Sequence, residues 1–180
     1  TLGTEARLHR QVVAQLDLPN ARAVLDVGCG TGTLTRDLWA ALPDVPGRWV
    51  VGIDAAEAMI DVARRKATHH AGLQFEATLA EDLPYPDATF DRVVSTFFFH
   101  HLPAPLKLRA LDELWRVLRP GGRGVILDVD IPCSRFGRFC ALAGYHLFRQ
   151  PEIKENIDGH LRLALVRSRF QPHWHIASRH

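Results

Sequence analysis

Short apolar runs alternate with helix-length apolar stripes along this 180-residue chain, and the alternation predicts its architecture. Five runs rich in Val and Ile stand out: Arg22 to Val27, Trp49 to Ile53, Leu73 to Glu76, Arg92 to Phe97 and Gly124 to Val129. Bounded by Gly, Pro or Asp, they suit strands buried on both faces of a parallel sheet. Between them Leu34, Leu38 and Leu42 recur at helical spacing, as do Met59, Ala63 and Ala67. Leu111, Leu114, Trp115 and Leu118 form a third stripe, stopped by Pro120-Gly121-Gly122. Repeated strand–helix–strand units imply right-handed crossovers and a parallel sheet covered on both faces, so the predicted fold class is α/β.

The last third is patterned differently. Residues Ser134 to Arg149 mix Phe136, Phe139, Leu142, Tyr145 and Phe148 with Arg135, Arg138 and Arg149. Glu152 to Phe170 predicts a second helical region, broken at Asp158-Gly159 and ended by Pro172, with His173 to Ser178 as one more strand. Apolar residues make up 47% of the chain and charged ones 23%, which excludes disorder, collagen and coiled coil. No apolar run approaches the roughly 20 residues needed to span a bilayer. A net charge of +2 argues against a dedicated nucleic-acid binder. Three cysteines, Cys29, Cys133 and Cys140, are too few and too irregular for a disulfide scaffold or zinc site, which points to a reducing cytoplasm. The chain starts at Thr1 with no signal-peptide pattern and reads as a processed or trimmed single domain, 1–180.

The most informative stretch is Val24-Leu25-Asp26-Val27-Gly28-Cys29-Gly30-Thr31-Gly32, a strand running into glycines and then into a helix starting near Thr31. Glycines let backbone turn sharply and approach a ligand, and the helix N-terminus offers free N–H groups. A ligand-free tight turn is the bland alternative. No Lys follows, as a phosphate-binding P-loop requires, and Thr33 replaces the third glycine of the dinucleotide fingerprint. The second strand ends on Asp54, which can accept both hydroxyls of a ribose or simply cap the helix that follows. The adjacent glycine loop favours the ribose.

Val24 to Gly32 resembles motif I of the class I S-adenosylmethionine-dependent methyltransferases, and Gly52-Ile53-Asp54-Ala55-Ala56-Glu57-Ala58-Met59 resembles their second motif. Leu83-Pro84-Tyr85-Pro86-Asp87-Ala88-Thr89-Phe90-Asp91 is similar to the run before the fourth strand in the ubiquinone-biosynthesis-like, type 11 subgroup. Glu113-Leu114-Trp115-Arg116-Val117-Leu118-Arg119-Pro120-Gly121-Gly122 is similar to the helix and turn before the fifth. The resemblance covers the first two-thirds of the chain. It implies a Rossmann-like, mostly parallel sheet, a cofactor-binding core over 1–130 and an acceptor-side cover over 131–172. It also implies S-adenosyl-L-methionine as cofactor, with Gly28, Cys29 and Gly30 along its methionine portion and Asp26 near its amino group. Asp54 would hold the ribose, with Ala55 beside it. Met59 would pack on the adenine, or else belong to the core of its helix. Leu79, Ala80 and Glu81 would edge the adenine, and Ser95 and Thr96 would lie beneath the sulfonium. Leu79 stands where relatives usually carry Asp, so Glu81 or Asp82 must substitute or the adenine is held more weakly.

Methyl transfer from a sulfonium needs alignment and exclusion of water, and a base only where the acceptor is protonated. His100 and His101, just past the fourth strand, are the candidate bases, with His100 preferred; the alternative is that His101 orders the loop through its backbone. His69 and His70 read as a solvated helix end. His173 and His175 share a strand face but lack a third ligand, so no functional metal is expected. Cys29 reads as a small packing residue. The Ser134 to Arg149 segment fits a lid over an apolar or aromatic small-molecule acceptor, a helix packed on the sheet, or a surface touching a membrane without inserting. A homodimer stays open. The competing functions are a nicotinamide-dependent oxidoreductase and a non-catalytic binder of the same cofactor. These folds normally end in an antiparallel hairpin, and too few residues follow Ser178 for its last strand. The expectation is an incomplete antiparallel end and an exposed edge on the fifth strand, unless the sixth strand or another chain covers it.

Overall fold

The computed structural model describes residues 2–67, 70–132, 151–171 and 173–176. Among them, β1 (Ala23–Val27), β2 (Trp49–Asp54), β3 (Leu73–Ala77), β4 (Phe90–Thr96) and β5 (Leu118–Leu127) form one sheet in the order β3-β2-β1-β4-β5. Every neighbouring pair is parallel. The helices are α1 (Leu2–Gln15), α2 (Thr33–Ala41), α3 (Glu57–Lys66), α4 (Ala104–Val117), α5 (Pro151–Ile157) and α6 (His160–Arg167). The α/β class and the five strands follow the hydrophobic pattern.

All five residues of β1 are buried, as the central strand of a sheet covered on both faces must be. The period-two alternation of strand side chains sorts them. Val24, with Val50 and Val94, packs against Val12 and Leu16 at the end of α1, Leu34 and Leu38 of α2, and Ile60 and Ala63 of α3. Leu25 and Val27, with Val51, Ile53, Phe90 and Val93, pack on the other face against Leu111, Leu114 and Val117 of α4 and Leu161 and Ala164 of α6. Strand order reverses direction at β1, between β2 and β4, and the crevice at their carboxyl ends is where such sheets take ligands.

Long-range polar clips explain two of the motifs. Glu113 of α4 accepts the Leu83 N–H at 2.9 Å, and Arg116 donates to the carbonyls of Leu83 (3.0 Å) and Tyr85 (2.7 Å) and to Asp87 (3.0 Å). The Leu83-to-Asp87 loop is thus stapled to α4, and the hydrogen bond from Arg116 holds Glu113 below its ordinary carboxyl range. Asp91 accepts the N–H groups of Arg22 and Ala23 at 2.8 and 2.9 Å, fixing the start of β1 beside β4.

The observed structure departs from the pattern in five places. The pattern does not predict helix α1, because its sequence is rich in polar residues; among the described side chains Val12 is its buried apolar contribution, with Leu16 just past its end. Buried Arg92 holds the chain where α1 ends, donating to the carbonyls of Leu16 and Asp17. The second difference lies at β5, which starts directly from α4 at Leu118 and stops at Leu127, not at Val129. Pro120-Gly121-Gly122 lies inside it as an irregular step between the pairs Phe90↔Leu118 and Arg92↔Arg123, with Gly121 at φ +77°. Third, β4 stops at Thr96 because Phe97 turns into the left-handed region at φ 52°. Fourth, α2 begins at Thr33 and α3 at Glu57, each a fraction of a turn later than expected. Fifth, residues 173–176 are not a strand; His173 instead stacks on Trp115, ring centroids 5.8 Å apart. The break at Asp158-Gly159 stands as expected, with Gly159 at φ +92°. The 134–149 cover, Cys133, Cys140, His69 and residues 177–178 lie outside the described residues.

Candidate functional site

A cleft opens at the carboxyl ends of β1 and β2. Its walls include Gly28, Asp54, Ala55, Leu79, Ala80 and Glu81, six of the residues singled out from the sequence. Thr78, Phe98 and Leu102 complete it together with the ends of β1 and β2, Val27 and Ile53. Phe98 and Leu102 bracket the candidate bases, a closeness that spacing alone does not show.

The glycine loop is braced by Asp54. Its Oδ2 accepts the Gly30 N–H at 2.9 Å and its Oδ1 the Ala56 N–H at 2.9 Å. Asp54 is therefore not the N-cap of α3; Ala56 holds that position. The N–H groups of Gly28 and Cys29 both reach the Ile53 carbonyl at 2.9 Å, which docks the loop on the end of β2.

All three motif glycines have positive φ, but for different reasons. A Cβ on Gly28 would meet Phe98 at 2.5 Å, and one on Gly32 would meet Phe75 at 2.4 Å. Those two are glycine because protein side chains pack against them. A Cβ on Gly30 would meet nothing within 4 Å, so Gly30 faces open space where a ligand can approach.

Asp26 lies beneath this loop, only 1% exposed. Its Oδ2 accepts the Thr35 hydroxyl at 2.7 Å, while Oδ1 is buried with no partner among the described residues. Burial pushes its carboxyl up to about 7; the Thr35 hydrogen bond works against this, and Asp54 adds to it. A buried carboxylate oxygen without a donor is costly unless something fills the need.

The other expected residues stand as follows. Cys29 is half-buried beside Gly52 and off the cleft wall, and burial, with Asp26 and Asp54, pushes its thiol well up, so it is inert packing. Met59, 45% exposed on α3, belongs neither to the core nor to the cleft wall. Leu79 is 53% exposed and accepts nothing through its side chain. The Ser95 hydroxyl is buried and donates to the Val27 carbonyl at 3.0 Å, tying β4 to β1; Thr96 is half-buried at the end of β4.

His100 sits in the 3-10 turn Phe99–His101 and is buried, whereas His101 is exposed. Their rings lie 4.0 Å apart. Burial, with His100 beside it, holds His101 below the ordinary imidazole range. The sequence reasoning missed Asp128, whose Oδ1 meets His100 Nδ1 at 2.7 Å. An acidic residue following β5, as Asp54 ends β2, was the available signal. Also missed was a buried pair behind the turn: Lys107 of α4, fully enclosed, donates to the Leu102 carbonyl and to Glu155 of α5 at 3.2 Å. Among the described residues no group of three or more His, Cys, Asp or Glu could hold a metal ion, and no helix is long and apolar enough to cross a membrane.

A parallel sheet with a glycine loop at its switch point, an acid closing the next strand and a cleft between them defines a nucleotide-type cofactor fold of the Rossmann-like class. The chain belongs to the methyltransferase domain family, whose pattern residues 24–122 match. It is 38% identical over 140 residues to the demethylmenaquinone methyltransferase of Symbiobacterium thermophilum, an alignment covering 76% of this chain and 54% of that protein. The demethylmenaquinone methyltransferase of Deinococcus radiodurans is 37% identical over 161 residues, 88% of this chain and 64% of that one. The chain thus spans about half to two-thirds of the length of these curated relatives. Among solved structures, a SAM-dependent methyltransferase from Aquifex aeolicus superposes with TM-score 0.59 at 29% identity, covering 68% of this chain and 64% of that one.

Proposed function

We propose that the chain binds S-adenosylmethionine in the cleft and transfers its methyl group to a small, apolar aromatic acceptor, the reduced form of a quinone such as the demethylmenaquinone in the relatives' names. The observation that carries this reading is the pairing of an unpartnered, buried Asp26 oxygen with a loop whose Gly30 faces open space. A cationic amino group would supply the donor Asp26 lacks, and the cofactor's methionine end carries one. Asp54 keeps lone pairs free beyond its two backbone contacts and would accept the ribose hydroxyls. Ala80 and the flank of Leu79 offer an apolar edge to the adenine, with Glu81 as the polar group beside them.

When bound, S-adenosylmethionine supplies a methyl carbon whose bond to sulfur breaks with the electron pair staying on sulfur, while an electron pair of the acceptor forms the new bond. The protein's part is alignment, exclusion of water and management of the acceptor's proton. Phe98 and Leu102 line the cleft, and the position of His100 between them in the chain supports reading it as the group that takes that proton. His101 is exposed and has no carboxylate hydrogen-bonded to it among the described residues, whereas His100 has Asp128, which supports reading His100 as the base. Residues 131–172 would form the cover over the acceptor.

Calorimetric titration of the 180-residue chain with S-adenosylmethionine, S-adenosylhomocysteine and NAD tests the cofactor. The reading expects one-to-one binding of the first two and none of NAD. Binding of NAD alone would overturn it in favour of an oxidoreductase.

A further inference from the structure

We propose that Asp128 is the positioning residue for His100, fixing the imidazole with its proton on Nδ1 and Nε2 free to receive the acceptor's proton; this rests on the methyl-transfer reading above. The two side chains come from different places, His100 from the turn after β4 and Asp128 from the residue after β5. Only the parallel pairing of β4 with β5 brings them together, 28 positions apart in the chain.

The direction of the hydrogen bond follows from what Asp128 already does. Its side chain is 1% exposed, and its oxygens accept the Val129 N–H at 2.7 Å and the His100 N–H at 3.4 Å. A carboxylate engaged this way is an acceptor only, so at 2.7 Å His100 Nδ1 must be the donor. In a neutral imidazole the proton on Nδ1 leaves Nε2 bare. His100 Nε2 makes no hydrogen bond among the described residues, and it is not one of the side-chain atoms sealed from solvent without a partner. It is therefore unpaired and not fully enclosed, on a turn whose flanking residues, Phe98 and Leu102, line the cleft.

Asp128 is itself held. Asn156 of α5 donates to the Val129 carbonyl at 3.1 Å, and the Phe97 N–H donates to the Leu127 carbonyl at 2.8 Å, so the chain on both sides of Asp128 is tied down. During turnover the acceptor's proton passes to Nε2 and then to water, and the Asp128 carboxylate stabilises the transient imidazolium across the Nδ1–H bond.

Two readouts test this. The first is the ¹⁵N–¹H correlation spectrum of the wild-type imidazoles near neutral pH. A proton on His100 Nδ1 supports the proposal, and a proton on Nε2 overturns it, whether or not any acceptor is turned over. The second is a double-mutant cycle with Asp128→Asn and His100→Ala, assayed with a reduced 1,4-naphthoquinone carrying one isoprenoid unit. Asp128→Asn is expected to lower kcat by about 100-fold with little change in either KM. In the His100→Ala background it should cost nothing further. An equal loss in both backgrounds, or a loss confined to KM, would make Asp128 merely structural. Absence of turnover in the wild type would instead count against the methyl-transfer reading, leaving the tautomer to decide the role of Asp128.

Discussion

The two sides of β1 are held by different chemistry. On the β2 side, the glycine loop, Asp54 and α3 meet through backbone N–H groups: Gly28 and Cys29 on the Ile53 carbonyl, and Gly30 and Ala56 on the Asp54 carboxylate. On the β4–β5 side, side chains make the joins: His100 with Asp128, Lys107 with Glu155, and Asn156 with the Val129 carbonyl. Backbone donors organise the first side and side-chain pairs the second.

The first test of this contrast lies on the β4–β5 side. Lys107→Ala removes a fully buried cation and leaves the Leu102 carbonyl and Glu155 without their partner, an expected loss of about 3 kcal/mol. Chemical denaturation should show it, and titration with S-adenosylmethionine should show nearly unchanged affinity. Loss of cofactor binding would break the separation between the two sides.

A loss of similar size is expected for Gly28→Ala. Its Cβ meets Phe98 at 2.5 Å on a backbone at φ +72°, for an expected loss of about 3 kcal/mol with a weakened cleft wall. Gly30→Ala sharpens the comparison: with nothing within 4 Å, only the left-handed backbone costs stability, about 1 kcal/mol. Yet cofactor affinity should fall steeply, because the methyl group enters the open space a ligand needs. Thermal melts paired with calorimetry separate the two glycines.

Asp26→Asn should act in the opposite direction on stability. With its carboxyl raised from 3.8 to about 7, the folded chain keeps a proton that the unfolded chain has released between those values. This group's contribution is thus present at low pH and lost as pH rises through 7. Asn removes that loss, so the cofactor-free variant should gain about 4 kcal/mol at pH 8, shrinking toward pH 4, while cofactor binding is lost. Melts across pH would check the sign; a variant less stable than wild type at pH 8 contradicts it.

Hydrophobic period and glycine placement made the α/β class, the five strands, Gly28 and Asp54 legible beforehand, while Ala55, Leu79, Ala80 and Glu81 of the cleft wall followed from the family resemblance. What escaped depended on tertiary pairing. Asp128 is one acid among many until β5 lies beside β4, and Lys107 reads as a surface residue until α5 covers it. Helix α1 is mostly polar in sequence, and the Arg92 guanidinium that ties down the chain just past it comes from distant β4. Gly28 and Gly30 look alike in sequence, and only the neighbouring Phe98 separates the packing glycine from the ligand-facing one.

The central claim, methyl transfer from S-adenosylmethionine to a quinol, is tested most directly by mass spectrometry of products. The 180-residue chain is incubated with trideuteromethyl S-adenosylmethionine and the reduced isoprenoid naphthoquinone. The account predicts a quinol carrying the labelled methyl group, formed in step with S-adenosylhomocysteine. Cofactor bound but quinol recovered unlabelled would contradict it.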